Sequence, residues 1–84
     1  MDGYVELEDM KKGPNHIMNV LWELNTESTI EEITACARTL FHVRWGKWRV
    51  QRYINRLLKM GYAVEIRHGE EVRYAALGYD LEWE

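Results

Sequence analysis

The chain has 84 residues, 46% hydrophobic and 30% charged, with a net charge of −3 and one cysteine. That length gives one small globular domain, near the lower limit of what folds without disulfides or metal, and excludes a second domain. A lone Cys36 excludes an internal disulfide. No apolar run approaches the ~20 residues of a membrane span, and the start does not read as a signal peptide, so a reducing cytoplasmic compartment and no membrane partner are expected.

The first segment, residues 1–13, is an N-terminal arm. Val5 and Leu7 alternate with Glu6 and Glu8, which predicts a short strand or an ordered arm. Gly13-Pro14 then punctuates the chain. Pro14 suits a first helical position because its missing N–H would have no intrahelical acceptor. A first helix is predicted from about Pro14 to Leu24, with Ile17, Val20, Leu21 and Leu24 as its stripe. Met18 and Trp22 widen that stripe to one flank, which reads Trp22 as a core residue, with a partner interface as the alternative.

After a polar turn at 25–28, Thr29-Ile30-Glu31-Glu32 fits a capping box. The helix that follows runs to about Leu40 and buries Ile30, Ile33, Cys36, Ala37 and Leu40. Phe41-His42-Val43 leads by a turn or a short extended piece to Gly46, the expected N-cap of a third helix that ends at Gly61. On that helix Val50, Tyr53, Ile54, Leu57 and Met60 share one side, with Leu58 at its margin. Trp48, Arg52, Asn55 and Lys59 fall opposite, flanked by Arg49, Gln51 and Arg56.

Beyond Gly61 the period changes from 3.6 to 2. Val64 and Ile66 alternate with Glu65 and Arg67, His68-Gly69-Glu70 reads as a turn, and Val72, Tyr74 and Ala76 alternate with Arg73 and Ala75, which predicts a β-hairpin. The tail at 78–84 alternates three apolar residues with three acids, so it adds a strand or lies along a groove. The chain begins with Met and its tail is not an interrupted helix, so a complete small protein is expected rather than a fragment.

Charge is not spread evenly. Residues 1–12, 13–42, 43–61 and 62–84 carry −2, −3, +6 and −4. The third segment holds Arg44, Lys47, Arg49, Arg52, Arg56 and Lys59 without one acid. A mildly acidic chain with one concentrated basic element binds a polyanion if that element is on the surface and the acidic segments point elsewhere.

Three short helices, a tight connection into a cationic third helix and a hairpin directly after it make an α+β winged helix-turn-helix with a core at 14–77 and short terminal arms. In that design the third helix enters the major groove and the hairpin touches flanking backbone or minor groove. Ile17-Met18-Asn19-Val20-Leu21-Trp22-Glu23-Leu24, the run from Val50 through Asn55-Arg56-Leu57 to Gly61-Tyr62, and Val72-Arg73-Tyr74-Ala75-Ala76-Leu77 together resemble the DNA-binding half of penicillinase-repressor-type regulators. The resemblance implies a bacterial transcriptional repressor that binds a palindromic operator as a dimer, with helix three reading bases. It ends near Leu77, where such repressors continue into a helical dimerisation region.

Because recognition helices usually enter N-terminus first, Lys47, Trp48, Gln51 and Arg52 are the expected base contacts. Arg44, Arg49, Asn55, Arg56, Lys59 and Arg67 are the expected phosphate contacts. The bland alternative for the cations is a solvated surface helix, although no acid stands at i±4 to compensate them. Trp48 either folds back over Trp45 or the hairpin, or stays exposed to meet a thymine methyl or a protein partner. The acidic Glu70-Glu71 tip makes the wing a weak DNA contact. Cys36 reads as a small buried hydrophobe, His16, His42 and His68 show no metal-ligand spacing, and there is no phosphate loop or nucleophile with its base, so no cofactor, no metal and no enzyme activity are expected. The expected partner is double-stranded DNA, with the N- or C-terminal arm as the candidate homodimer contact. A second reading is a winged-helix protein-interaction module that uses exposed aromatics and the acidic tail.

Overall fold

The computed structural model describes residues 12–77. The N-terminal strand or arm, the acidic tail and the homodimer contacts assigned to the arms lie outside the described residues, apart from the arm's last two positions. The element order is α1 (Lys12–Leu24), α2 (Ile30–Phe41), α3 (Lys47–Met60), β1 (Ala63–His68) and β2 (Glu71–Ala76). This is the three-helix and hairpin arrangement expected from the sequence.

Helix α1 begins at Lys12, so Pro14 is its third residue, still within the turn whose N–H groups lack intrahelical acceptors. Gly13 is required there by a close approach. A Cβ at that position would lie 2.4 Å from Cζ of Tyr53 on α3. The helix stops at Asn25, which takes φ 51°, a left-handed conformation that asparagine tolerates better than most residues. Helix α2 opens with both halves of its capping box: the Glu32 N–H donates to Thr29 Oγ1 at 3.2 Å and the Thr29 N–H donates to Glu32 Oε1 at 2.8 Å. Thr29→Ala is expected to lower stability by about 1 kcal/mol, read as a shift in the denaturant midpoint at unchanged slope. His42, at φ 57°, ends this helix by donating its N–H to the Arg38 carbonyl.

Helix α3 starts at Gly46 without a side-chain cap and ends at Gly61, whose φ is 83°. The Tyr62 N–H closes back on the Leu57 carbonyl at 2.9 Å, a C-terminal motif that turns the chain directly into β1. The hairpin turn is Gly69-Glu70, with Gly69 at φ 65°. That is the first central position, where a II′ turn needs a left-handed residue.

The core joins Ile17, Met18, Val20 and Leu21 of α1 to Ile33 and Ala37 of α2, Val50, Ile54 and Leu57 of α3, and Ala63, Tyr74 and Ala76 of the hairpin. The hairpin is tied to the helices through Ser28, which forms an isolated bridge with Tyr74. Strand register places Ala63 opposite Ala76, Glu65 opposite Tyr74 and Arg67 opposite Val72. Consequently Val72, Tyr74 and Ala76 share the core face with Glu65 and Arg67, while Val64 and Ile66 share the outer face with Ala75.

Three expected core residues are exposed. Trp22 is 38% exposed, Leu40 39% and Met60 39%. All three lie in the last turn of their helix, where burial depends on position along the axis as well as on angle. The flank of α1 that carries Trp22 is buried earlier at Asn15 and Asn19, and Phe41 rather than Leu40 packs against the core at the end of α2.

Candidate nucleic-acid interface

Helix α3 presents its cations because its apolar stripe, apart from Met60, is packed against the rest of the domain. Val50, Ile54 and Leu57 are completely buried, and Tyr53 packs edge-on against Trp45 with ring centroids 5.0 Å apart. His16 and Phe41 extend the aromatic group, with their rings 4.1 Å apart. Fixed on this side, α3 turns Trp48, Arg49, Arg52, Asn55, Arg56 and Lys59 to solvent.

Trp48 is 83% exposed. It covers neither Trp45 nor the hairpin, so of its two readings the structure shows the open one. Among the described residues, Arg44, Arg49, Arg52, Arg56 and Lys59 have no ion-pair partner. No acid occupies the first turn of α3, so the positive end of the helix dipole adds to their field. A shallow cleft between the start of α1 and α3 is lined by Gly13, Pro14, Arg52, Tyr53, Asn55 and Arg56, and a second, lined by Arg38, His42, Val43 and Arg44, lies at the turn between α2 and α3.

The opposite flank of α3 differs. Lys47 Nζ lies 3.4 Å from Glu31 Oε2. The Glu31 carboxyl is held below its usual value chiefly by its own backbone N–H at the helix start, with Lys47 adding to the effect. Gln51 is half-buried; its Nε2 donates to Asn55 Oδ1 at 3.0 Å and to the Tyr74 hydroxyl at 3.1 Å. Glu70 and Glu71 line the same groove as Gln51 and Tyr74. The wing cations are locally neutralised: Arg67 Nε lies 2.9 Å from Glu65 and Arg73 Nε 3.1 Å from Glu71, while His68 Nε2 lies 2.7 Å from Glu27.

The ten residues named from the sequence therefore fall into two groups. Trp48, Arg49, Arg52, Asn55, Arg56 and Lys59 form one continuous exposed face, with Arg44 just before the helix. Lys47 and Gln51 turn toward the acidic flank, and Arg67 stands apart on β1. Arg38 was not anticipated, because its proximity to Arg44 depends on the left-handed turn at His42. The Gln51–Tyr74 contact spans two elements and has no local sequence signal.

Cys36 is half-buried, and burial followed by the nearby Glu23 charge pushes its thiol upward. Among the described residues no three histidine, cysteine or acidic side chains gather as a metal site, and no helix is long and apolar enough to cross a membrane.

No family model matches the chain, and no curated protein does. Among solved structures, it is similar to one of HOP2 that treats the DNA recognition and protein interaction domains of that protein and its homologous DNA pairing. The two share 22% identity over 76% of this chain and 97% of that chain, with a TM-score of 0.64. The shared feature is the winged-helix fold. The likeness does not extend to the penicillinase-repressor type in particular.

Proposed function

Taking the winged-helix fold as premise, we propose that this chain binds double-stranded DNA in the major groove through the exposed face of α3. One observation carries the reading. Five cations, Arg44, Arg49, Arg52, Arg56 and Lys59, face solvent on or beside a single helix with no ion-pair partner among the described residues, in a chain whose net charge is negative. Unpaired cations in register along a helix are what releases counterions from a duplex.

The local geometry sharpens the roles. Trp48 and Arg52 are the leading base contacts, the indole meeting a thymine methyl and the guanidinium a guanine edge. Arg44, Arg49, Arg56 and Lys59 hold phosphates, and Asn55 lies between the two groups. Lys47 reaches DNA only by leaving Glu31, and Gln51 acts by fixing the helix against Tyr74 before it acts on a base. Glu31, Glu70 and Glu71 repel phosphate from the wing side, so the duplex lies toward the start of α1. This is a binding domain without catalysis. Its finer form is a transcriptional repressor that occupies its operator, supported by the family resemblance of residues 14–77. The HOP2 structure, which concerns DNA recognition, supports the coarser form.

Selection from a random duplex pool tests the reading: recovered sequences are expected to converge on a short motif and to lose that convergence with Arg52→Ala. A second reading, a protein-interaction module, is favoured by Trp48, a large aromatic side chain left 83% exposed on α3. No enrichment from the pool, together with a protein complex that survives high salt, would select it.

A further inference from the structure

Strand β1 has one edge inside the hairpin and one edge outside it. The Ser28 N–H donates to the Tyr74 carbonyl at 2.9 Å and the Tyr74 N–H donates to the Ser28 carbonyl at 2.8 Å, so both backbone groups of Tyr74 face away from β1. In an antiparallel ladder this direction alternates along the strand. The bonded pairs across the hairpin are therefore Val64 with Ala75, Ile66 with Arg73 and His68 with Glu71. The Leu77 N–H, donating to the Tyr62 carbonyl at 3.0 Å, continues the same phase. It follows that the backbone groups of Ala63, Glu65 and Arg67 point out of the free edge, where no strand among the described residues meets them.

We propose that this edge is a self-association surface, at which β1 pairs antiparallel with β1 of a second copy to make a continuous four-stranded sheet. Charge selects the occupant and the register. With Ile66 on the two-fold axis, Glu65 stands opposite Arg67 of the second copy, and Arg67 opposite its Glu65. Both positions have outward backbone groups, so they form bonded pairs as an antiparallel ladder requires. Sliding by two residues one way sets Glu65 against Glu65, and the other way sets Arg67 against Arg67; like charges directly opposite are destabilising. Sliding by one residue reverses the faces. One register alone is complementary.

The side chains agree with this arrangement. Ile66 and Val64 are only half-buried on the outer face and lie outside the helix-packed core. In the proposed sheet the two Ile66 side chains meet at the closely spaced, non-bonded pair on the axis. On the other face, the Glu65–Arg67 pair, already 2.9 Å apart within one strand, joins its copy in an alternating array of four charges. Glu70 and Glu71 remain outside the paired segment. The arrangement is isologous and closes as a dimer. Its single six-residue strand per copy buries little area, so association is weak and concentration-dependent. The inference uses the wing edge and does not depend on the DNA reading.

Sedimentation of the full chain over a concentration series, with amide exchange in parallel, tests the proposal. The unaltered chain is expected to pass from monomer to dimer as concentration rises, with the amides of Glu65 and Arg67 exchanging more slowly in step. Glu65→Arg and Arg67→Glu each place like charges across the seam and are expected to stay monomeric at concentrations where the unaltered chain is dimeric. An equimolar mixture of the two variants restores opposite charges and is expected to regain the dimer, which misfolded variants would not do. A chain monomeric throughout, a dimer that survives Glu65→Arg, or exchange at Glu65 and Arg67 independent of concentration overturns the proposal.

Discussion

Arg52→Ala and Arg56→Ala are expected to impair DNA binding in different ways. Loss of Arg52, as a bidentate base contact, costs about 1–3 kcal/mol on the preferred site and relaxes preference at one base pair. In affinity that is about 5- to 150-fold. Loss of Arg56 weakens preferred and random duplexes alike and reduces the steepness of the salt dependence by about one unit. Both side chains are exposed and without ion-pair partners among the described residues, so neither change disturbs folding and the comparison reads DNA contact alone. Anisotropy titrations on a selected and a scrambled duplex separate the two patterns. Equal losses on both duplexes for Arg52→Ala would remove its base-reading role.

Leu57→Ala is expected to destabilise the domain by about 2–5 kcal/mol, the range for truncating a fully enclosed aliphatic side chain. Leu57 is completely buried where α3 meets the rest of the core. For a domain of this size each kcal/mol moves the melting temperature by about 4–8 °C, so the midpoint falls by at least about 8 °C. Met60→Ala, on the same nominal stripe but 39% exposed, and Trp48→Ala, at 83% exposed, should each change stability far less. Thermal melts of the three variants therefore test which residues anchor α3. A Trp48→Ala loss comparable to that of Leu57→Ala would mean that the indole is part of the core.

The sequence made much of this fold legible because its strongest signals are local. Thr29 with Glu32, Gly46 with Gly61, and Gly69 in the hairpin turn act within a few residues of themselves, and each delimits an element near its expected position. Arg49, Arg52, Arg56 and Lys59 of the basic block stay together in three dimensions for the same reason, since residues three or four apart on one helix share a face whatever surrounds it. What could not be read depends on neighbours distant in sequence. Trp22, Leu40 and Met60 have the right angular position, yet each stays more than a third exposed in the final turn of its helix, where Leu24, Phe41 and Leu57 meet the core instead. Gln51 has the angular position of a flanking surface residue, yet the Tyr74 hydroxyl, 23 residues away in the chain, holds it at 3.1 Å. Lys47 is engaged by Glu31 from another helix. Alternation in the hairpin identified two strands, but only the register, which sets Glu65 and Arg67 opposite the core residues Tyr74 and Val72, shows that Val64 and Ile66 face outward.

The electrostatic asymmetry follows from the same long-range placement. Sequence blocks separate a basic segment from acidic ones, whereas the structure puts Glu31, Glu70 and Glu71 beside one flank of α3 and, among the described residues, no acid beside its other flank. A duplex approaching along Arg49, Arg52 and Arg56 avoids those carboxylates. An approach across the wing does not. This accounts for how a chain of net charge −3 can retain affinity for a polyanion.

The most direct test of that account is the affinity of the unaltered chain for a random-sequence duplex, measured by anisotropy across a series of salt concentrations. With four or five phosphates neutralised by the cations on and beside α3, log K is expected to fall against log salt with a slope of about −3.6 to −4.5. A nearly flat dependence, or no complex at low salt, would contradict the assignment of α3 as a DNA-binding surface.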